Sequence, residues 1–181
     1  MAYAVEQHAG QRRTADGAPF VLHPIEVATL LADAGAPDHV VAAGVLHDTI
    51  EKTSTEPEDL RQRFGGRIAS LVIALSEDPA ISGYAARKAA LRKQVEAADD
   101  EALMVFAADK LSKARELRMT FERAQDGGGA RRGSRAHRKL THYRHCADLL
   151  NVRLADSSLV RSLHDELAVL TRVEHPELVA G

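Results

Sequence analysis

Three apolar stretches of this chain are interrupted by side chains that carry charge or bind metals. They are Val21-Leu22-His23-Pro24, Gly44-Val45-Leu46-His47-Asp48-Thr49-Ile50-Glu51 and Phe106-Ala107-Ala108-Asp109-Lys110-Leu111. A carboxylate inside an apolar run costs several kcal/mol unless something pairs with it. Two imidazoles and two carboxylates suggest a cation as that partner, which makes His23, His47, Asp48 and Asp109 candidate ligands. Mixed nitrogen and oxygen donors suit manganese, iron, nickel or zinc better than calcium, and they leave positions open for water and substrate. Taken singly, either histidine would read as a satisfied core residue, and a His-Asp dipeptide arises by chance. The three segments together carry the metal reading.

Rigid elements must bring these segments together, and helical periodicity runs through almost the whole chain. A first helix is predicted from about Ala2 to Arg13, ending before Asp16-Gly17-Ala18-Pro19. Pro24 suits the first turn of a second helix that carries Val27, Leu30 and Leu31 on one side. After Gly35-Ala36-Pro37, a third begins at Asp38 and runs from Val40 to about Ile50, apolar nearly all round and therefore in the core. Thr55 with Glu58 reads as a capping box opening a fourth helix that stops near Phe64-Gly65-Gly66. Further helices are expected at about 67–76, 83–97, 101–122, 136–151 and 156–174. Residues of about 125–135, with three consecutive glycines and several arginines, read as a mobile loop, or alternatively as a basic flap over a phosphate-rich ligand.

Composition agrees with an all-α fold. Hydrophobic residues make up 45% of the 181 and aromatics only 4%, so Ala, Leu and Val must fill the interior. One domain over 1–181 is expected, with a core at about 3–122 and C-terminal helices at about 136–174. A net charge of −2 gives no support to nucleic-acid or acidic-membrane binding. The single cysteine, Cys146, excludes an internal disulfide and has no partner pattern of a nucleophile. Without a signal peptide or a long apolar run, a soluble cytoplasmic protein is expected. The oligomeric state is left open, a homodimer being one option.

The chain order His…His-Asp…Asp resembles the HD phosphohydrolase superfamily, all-helical bundles that hold a buried metal with those four side chains. Gln11-Arg12-Arg13, the segment ending in His23-Pro24, Leu46-His47-Asp48-Thr49-Ile50-Glu51 and Ala108-Asp109-Lys110-Leu111 look like the hydrolase domain of RelA/SpoT-type enzymes. Small stand-alone alarmone hydrolases have about this chain length, and the resemblance covers roughly residues 3–120. It implies a manganese-dependent hydrolase that removes pyrophosphate from the ribose 3′ position of guanosine tetraphosphate or pentaphosphate. By the same resemblance, His23, His47, Asp48 and Asp109 hold one Mn²⁺, while Arg12 and Arg13 line the nucleotide pocket.

Two residues depart from that pattern. Glu51 follows His47 by four and Asp48 by three, so an unbroken helix would place it beside the metal as the acid or base. The family has Asp next, whereas this chain has Lys52, which reverses the local charge and offers a contact to substrate phosphate. Four residues after Asp109 the family has Asn near the base, and here stands Lys113, which can only donate. Guanine recognition is thereby opened to alternatives: an adenine alarmone or another nucleotide, or nucleotide binding without turnover. Arg138 and Tyr143 fall where the family closes its pocket, and Tyr84, Arg87 and Lys88 where it has basic residues. His137, His142 and His145 form no ligand face and read as surface histidines; His8, His39, His164 and His175 have no motif around them, His39 reading as solvent-facing.

Overall fold

Alanines and one glycine at the helix contacts let this chain pack closely around a single long helix. The computed structural model describes residues 1–125 and 130–174, and the side chains of 1–122 and 135–172. Every regular element among them is helical. The order is α1 (Ala2–Gln7), α2 (Leu22–Asp33), α3 (Asp38–Leu46), α4 (Thr49–Lys52), α5 (Pro57–Phe64), α6 (Gly66–Leu75), α7 (Tyr84–Glu96), α8 (Asp100–Gln125), α9 (Ala130–Leu154) and α10 (Ser158–Glu174).

Helix α8 is the axis, packing against α2, α3, α6, α7, α9 and α10. Its run Ala102-Leu103 and Val105-Phe106-Ala107-Ala108 is buried, as are Leu111, Ala114 and Leu117 one and two turns further on. Asp109 therefore enters the interior as part of an apolar surface. Helices α2 and α3 cross closely because Gly44 of α3 has no side chain. A Cβ there would stand 2.5 Å from Leu31 Cδ1 and 3.4 Å from Val27 Cγ1. None of the described helices is long and apolar enough to cross a membrane.

Four boundaries differ from the sequence expectation. The first helix ends at Gln7, because Gly10 turns the chain with φ +75° and residues 11–20 form a strap. In that strap Arg13 N–H donates to Ala18 O (2.8 Å) and Phe20 N–H to Gln11 O (2.9 Å). The third helix breaks after Leu46 and restarts at Thr49, with Thr49 Oγ1 donating to the freed Leu46 carbonyl (2.7 Å). The fourth is capped by Glu56, not Thr55: Pro57 takes the first helical position, and the reciprocal box runs between Glu56 and Asp59. Thr55 is buried instead and bonds Tyr3 Oη at 3.1 Å. Of the expected loop, residues 126–129 lie outside those described, and α9 already begins at Ala130.

Replacing Gly44 tests this packing. Alanine gains about 1 kcal/mol of helix propensity, but overpacking typically costs about 1–3 kcal/mol. Urea unfolding midpoints are expected to fall in the order wild type, Gly44→Ala, Gly44→Val.

Candidate functional site

The four side chains that the sequence singles out meet where α2, the α3–α4 break and α8 come together. His23 leaves the first turn of α2, His47 and Asp48 form the break itself, and Asp109 leaves the inner face of α8. All four are buried. His23 Nε2 lies 3.2 Å from His47 Nε2, and Asp109 Oδ1 lies 3.1 Å and 3.3 Å from those two nitrogens. Asp48 Oδ2 stands 3.6 Å from each imidazole.

Hydrogen-bond accounting fixes the tautomers. Ser112 Oγ donates its proton to Glu26 Oε2 (2.8 Å), so it accepts from His23 Nδ1 (2.9 Å). His47 Nδ1 donates to the Gly44 carbonyl at 2.8 Å. When neutral, both imidazoles thus turn an Nε2 lone pair toward Asp109 and Asp48. Asp48 Oδ2 has no hydrogen-bond partner at all. Converging lone pairs around a buried unpartnered carboxylate oxygen suit a cation. The spacing of His23, His47 and Asp109 fits one, with Asp48 a few tenths of an ångström further out: bonds of about 2.1 Å put neighbouring ligand atoms about 3.0 Å apart in an octahedron and about 3.4 Å in a tetrahedron.

Charge explains how the acids stay ionised. Burial would raise the Asp109 pKa, yet the Lys110 and Lys113 ammonium groups outweigh it and hold it well below the carboxylate range. Asp48 is lowered likewise, with Lys113 and His47 opposing its burial. Burial lowers the His23 pKa, whereas in His47 it is outweighed by Asp48 and Asp109, and the value rises. Lys110 grips Asp109 Oδ2 and lies 4.3 Å over the Phe106 ring, while Lys113 Nζ is 2.8 Å from Asp109 Oδ1 and 3.7 Å from Asp48 Oδ1.

A cavity of ≈ 1140 Å³ adjoins the cluster, enough for a nucleotide with several phosphates. Nine lysines and arginines and three glutamates line it, among them Arg12, Arg13, Glu51, Lys52, Glu77, Arg87, Lys88, Lys110, Lys113 and Lys139. Glu51 and Lys113 line both this basin and the smaller recess at the ligands. Glu51 Oε1 accepts from the Glu77 backbone N–H at 2.7 Å, and the Glu77 carboxylate binds Arg87 (3.0 Å) and Lys88. Lys52 Nζ sits 5.2 Å over Phe20, and its carbonyl accepts from Gln11 Nε2 at 2.7 Å.

The other expected residues are distributed less evenly. Arg12 donates to Gly17 O (2.9 Å) and Arg13 binds Asp16, so both are braced within the strap while facing the basin. Tyr143 is buried in the basin wall. Arg138 is exposed and stacks 5.8 Å over Tyr84, outside the lining. His142 corrects the surface reading: it is buried, and its Nδ1 accepts from Arg92 at 2.9 Å. Burial and nearby lysines lower its pKa to about 2, so it stays neutral. His39 is half-buried, 2.7 Å from Glu101. Burial pushes the Cys146 thiol up to about 11, in keeping with an inert cysteine. Ser112 and Glu26, absent from the sequence reading, are the residues that orient His23.

Residues 1–140 match the HD-domain family. The chain is similar to a GTP pyrophosphokinase of Streptomyces coelicolor, at 37% identity over 130 residues, which is 69% of this chain and 15% of that protein. It is also 32% identical over 117 residues to a guanosine-3′,5′-bis(diphosphate) 3′-pyrophosphohydrolase of Aquifex aeolicus, covering 64% of this chain and 17% of the relative. The chain therefore spans about a sixth of the length of these relatives. Among solved structures it resembles a metazoan ortholog of SpoT that hydrolyzes ppGpp, with TM-score 0.78 and 25% identity over 92% of this chain and 90% of that one. A Listeria monocytogenes protein shares the fold at TM-score 0.68 and 24% identity, over 82% of this chain and 92% of that one.

Two outcomes test the centre. Ser112→Ala removes the acceptor that fixes His23, and affinity for a divalent ion is expected to fall about 10–100-fold in a direct titration. A proton and a metal ion compete for His47 Nε2, and the folded protein holds that proton more tightly than an ordinary imidazole does. Metal affinity is therefore expected to weaken progressively as pH falls from about 7 to 5.

Proposed function

The chain belongs to the HD-domain family, and within it we propose a metal-dependent hydrolase that removes the 3′-pyrophosphate from guanosine tetraphosphate or pentaphosphate. The observation that carries this reading is the unpartnered Asp48 Oδ2 among two imidazole lone pairs, beside a basin rich in lysine and arginine. Manganese is the proposed ion, held by His23, His47, Asp48 and Asp109. A divalent ion held there would supply an acidified water and would offset charge on the departing group. The relatives' names, guanosine-3′,5′-bis(diphosphate) 3′-pyrophosphohydrolase and the ppGpp-hydrolyzing SpoT ortholog, support the substrate.

The chain's own residues have separable tasks. Glu51 reaches the recess from α4 with Oε1 fixed by the Glu77 N–H, which leaves its other oxygen to hold or pass a proton. Arg87 and Lys88, braced on Glu77, offer charge to the phosphates, as does Lys52 at the basin edge. Arg12, Arg13, Tyr143 and the outlying Arg138 are proposed contacts to the nucleotide. A second reading replaces guanine with another base. It is favoured by Lys113, which stands where the family has an amide and is engaged with Asp109.

Incubation with ppGpp and manganese is expected to release pyrophosphate and leave the 5′-diphosphate nucleotide. Glu51→Gln is expected to keep the metal and slow the reaction by about 10²–10⁴. Release of single phosphates, or full activity in Glu51→Gln, would sink the mechanism; turnover only of an adenine counterpart in the same panel would establish the second reading. Lys52→Asp is expected mainly to raise KM, most for the pentaphosphate.

A further inference from the structure

One cation of the site holds a carboxylate oxygen that a metal ion would need. Lys113 follows Asp109 by one helical turn on α8 and brings its ammonium to 2.8 Å from Asp109 Oδ1. That is the same oxygen on which His23 Nε2 and His47 Nε2 converge at 3.1 Å and 3.3 Å. The ammonium also lies 3.7 Å from Asp48 Oδ1, so it bridges both carboxylates. Lys110 behaves differently. It holds the outer oxygen Oδ2, its side chain is only 4% exposed, and it is stacked on Phe106. Lys113 is 24% exposed and lines the basin, so it has somewhere to go.

Resting on the metal reading above, we propose that Lys113 is a tethered counter-ion that competes with the divalent ion for Asp109 and Asp48 and thereby sets this chain's metal affinity. With neutral imidazoles, the two carboxylates are already balanced by Lys110 and Lys113. A divalent ion must then either displace the Lys113 ammonium from Asp109 Oδ1 or bind against its repulsion. The two lysines consequently differ in kind: Lys110, on the outer oxygen, also orients the carboxylate, whereas Lys113 competes for the oxygen that faces the imidazoles. Once released, the Lys113 ammonium remains in the basin, where a phosphate can take it.

Manganese titration of the full chain, read by calorimetry or by the electron paramagnetic resonance of the free ion, tests this without turnover. Lys113→Met is expected to tighten manganese binding about tenfold or more, by removal of a like charge next to the ion. Metal-free Lys113→Met is expected to melt below the wild type, and saturating manganese should close that gap. Lys110→Met, which loses a like charge but also the group that orients Asp109, is expected to gain less affinity than Lys113→Met. If Lys113→Met does not fold, Lys113→Gln carries the same expectation. Unchanged or weaker affinity in the Lys113 variants, with manganese still bound, overturns the proposal and leaves the hydrolase reading intact. If neither the wild type nor the Lys113 variants bind manganese, both fall.

Discussion

Two buried carboxylates govern this molecule. Asp48 and Asp109 sit in apolar surroundings that would protonate an isolated acid, and both are nevertheless held ionised. Lys110, Lys113 and two imidazoles share one small volume with them, each set there by α2, the α3–α4 break or α8. The relative placement of α2, α3 and α8 is thus tied to electrostatics as much as to apolar packing. Removing any one charge leaves another buried without compensation, which is far more costly than losing a surface pair.

Backbone interruption gives the centre its shape. A continuous helix through residues 38–52 would carry His47 and Asp48 on adjacent faces about 100° apart. The break between Leu46 and Thr49 instead lets both face the recess, with His47 anchored on the Gly44 carbonyl. Gly44 therefore serves twice, as the close-approach point for Leu31 and as the acceptor that sets the His47 tautomer. The same short segment joins core packing to ligand geometry.

How much of this was legible in the sequence depended on how local each signal is. A carboxylate in an apolar run is visible at once, and all four proposed ligand positions came from such runs. The end of α1 was not visible, because the residues after Gln7 have good helix propensity and Gly10 acts alone against them. Two capping boxes overlapped one residue out of register before α5, and Pro57 decided between them. His142 shares the buried stripe of α9 with Cys146, four residues on, so its burial could have been read from spacing. Ser112 and Glu26 were also within reach, each three residues from a ligand, but their bond joins different helices. Glu77 gave no local sign, since its task depends on a backbone meeting with Glu51.

The Gln11 side chain ties two segments together. His8 Nδ1 meets its amide oxygen at 2.9 Å, and its amide nitrogen holds the Lys52 carbonyl at 2.7 Å, riveting the strap to the end of α4. The segment before residue 12 is consequently a structural member of the candidate site, though it contains none of the proposed ligands. A protease nick or an N-terminal fusion that pried α1 away would leave the helical body intact by circular dichroism. It would nonetheless loosen the turn that carries Glu51, a form of damage invisible to any assay of folding alone.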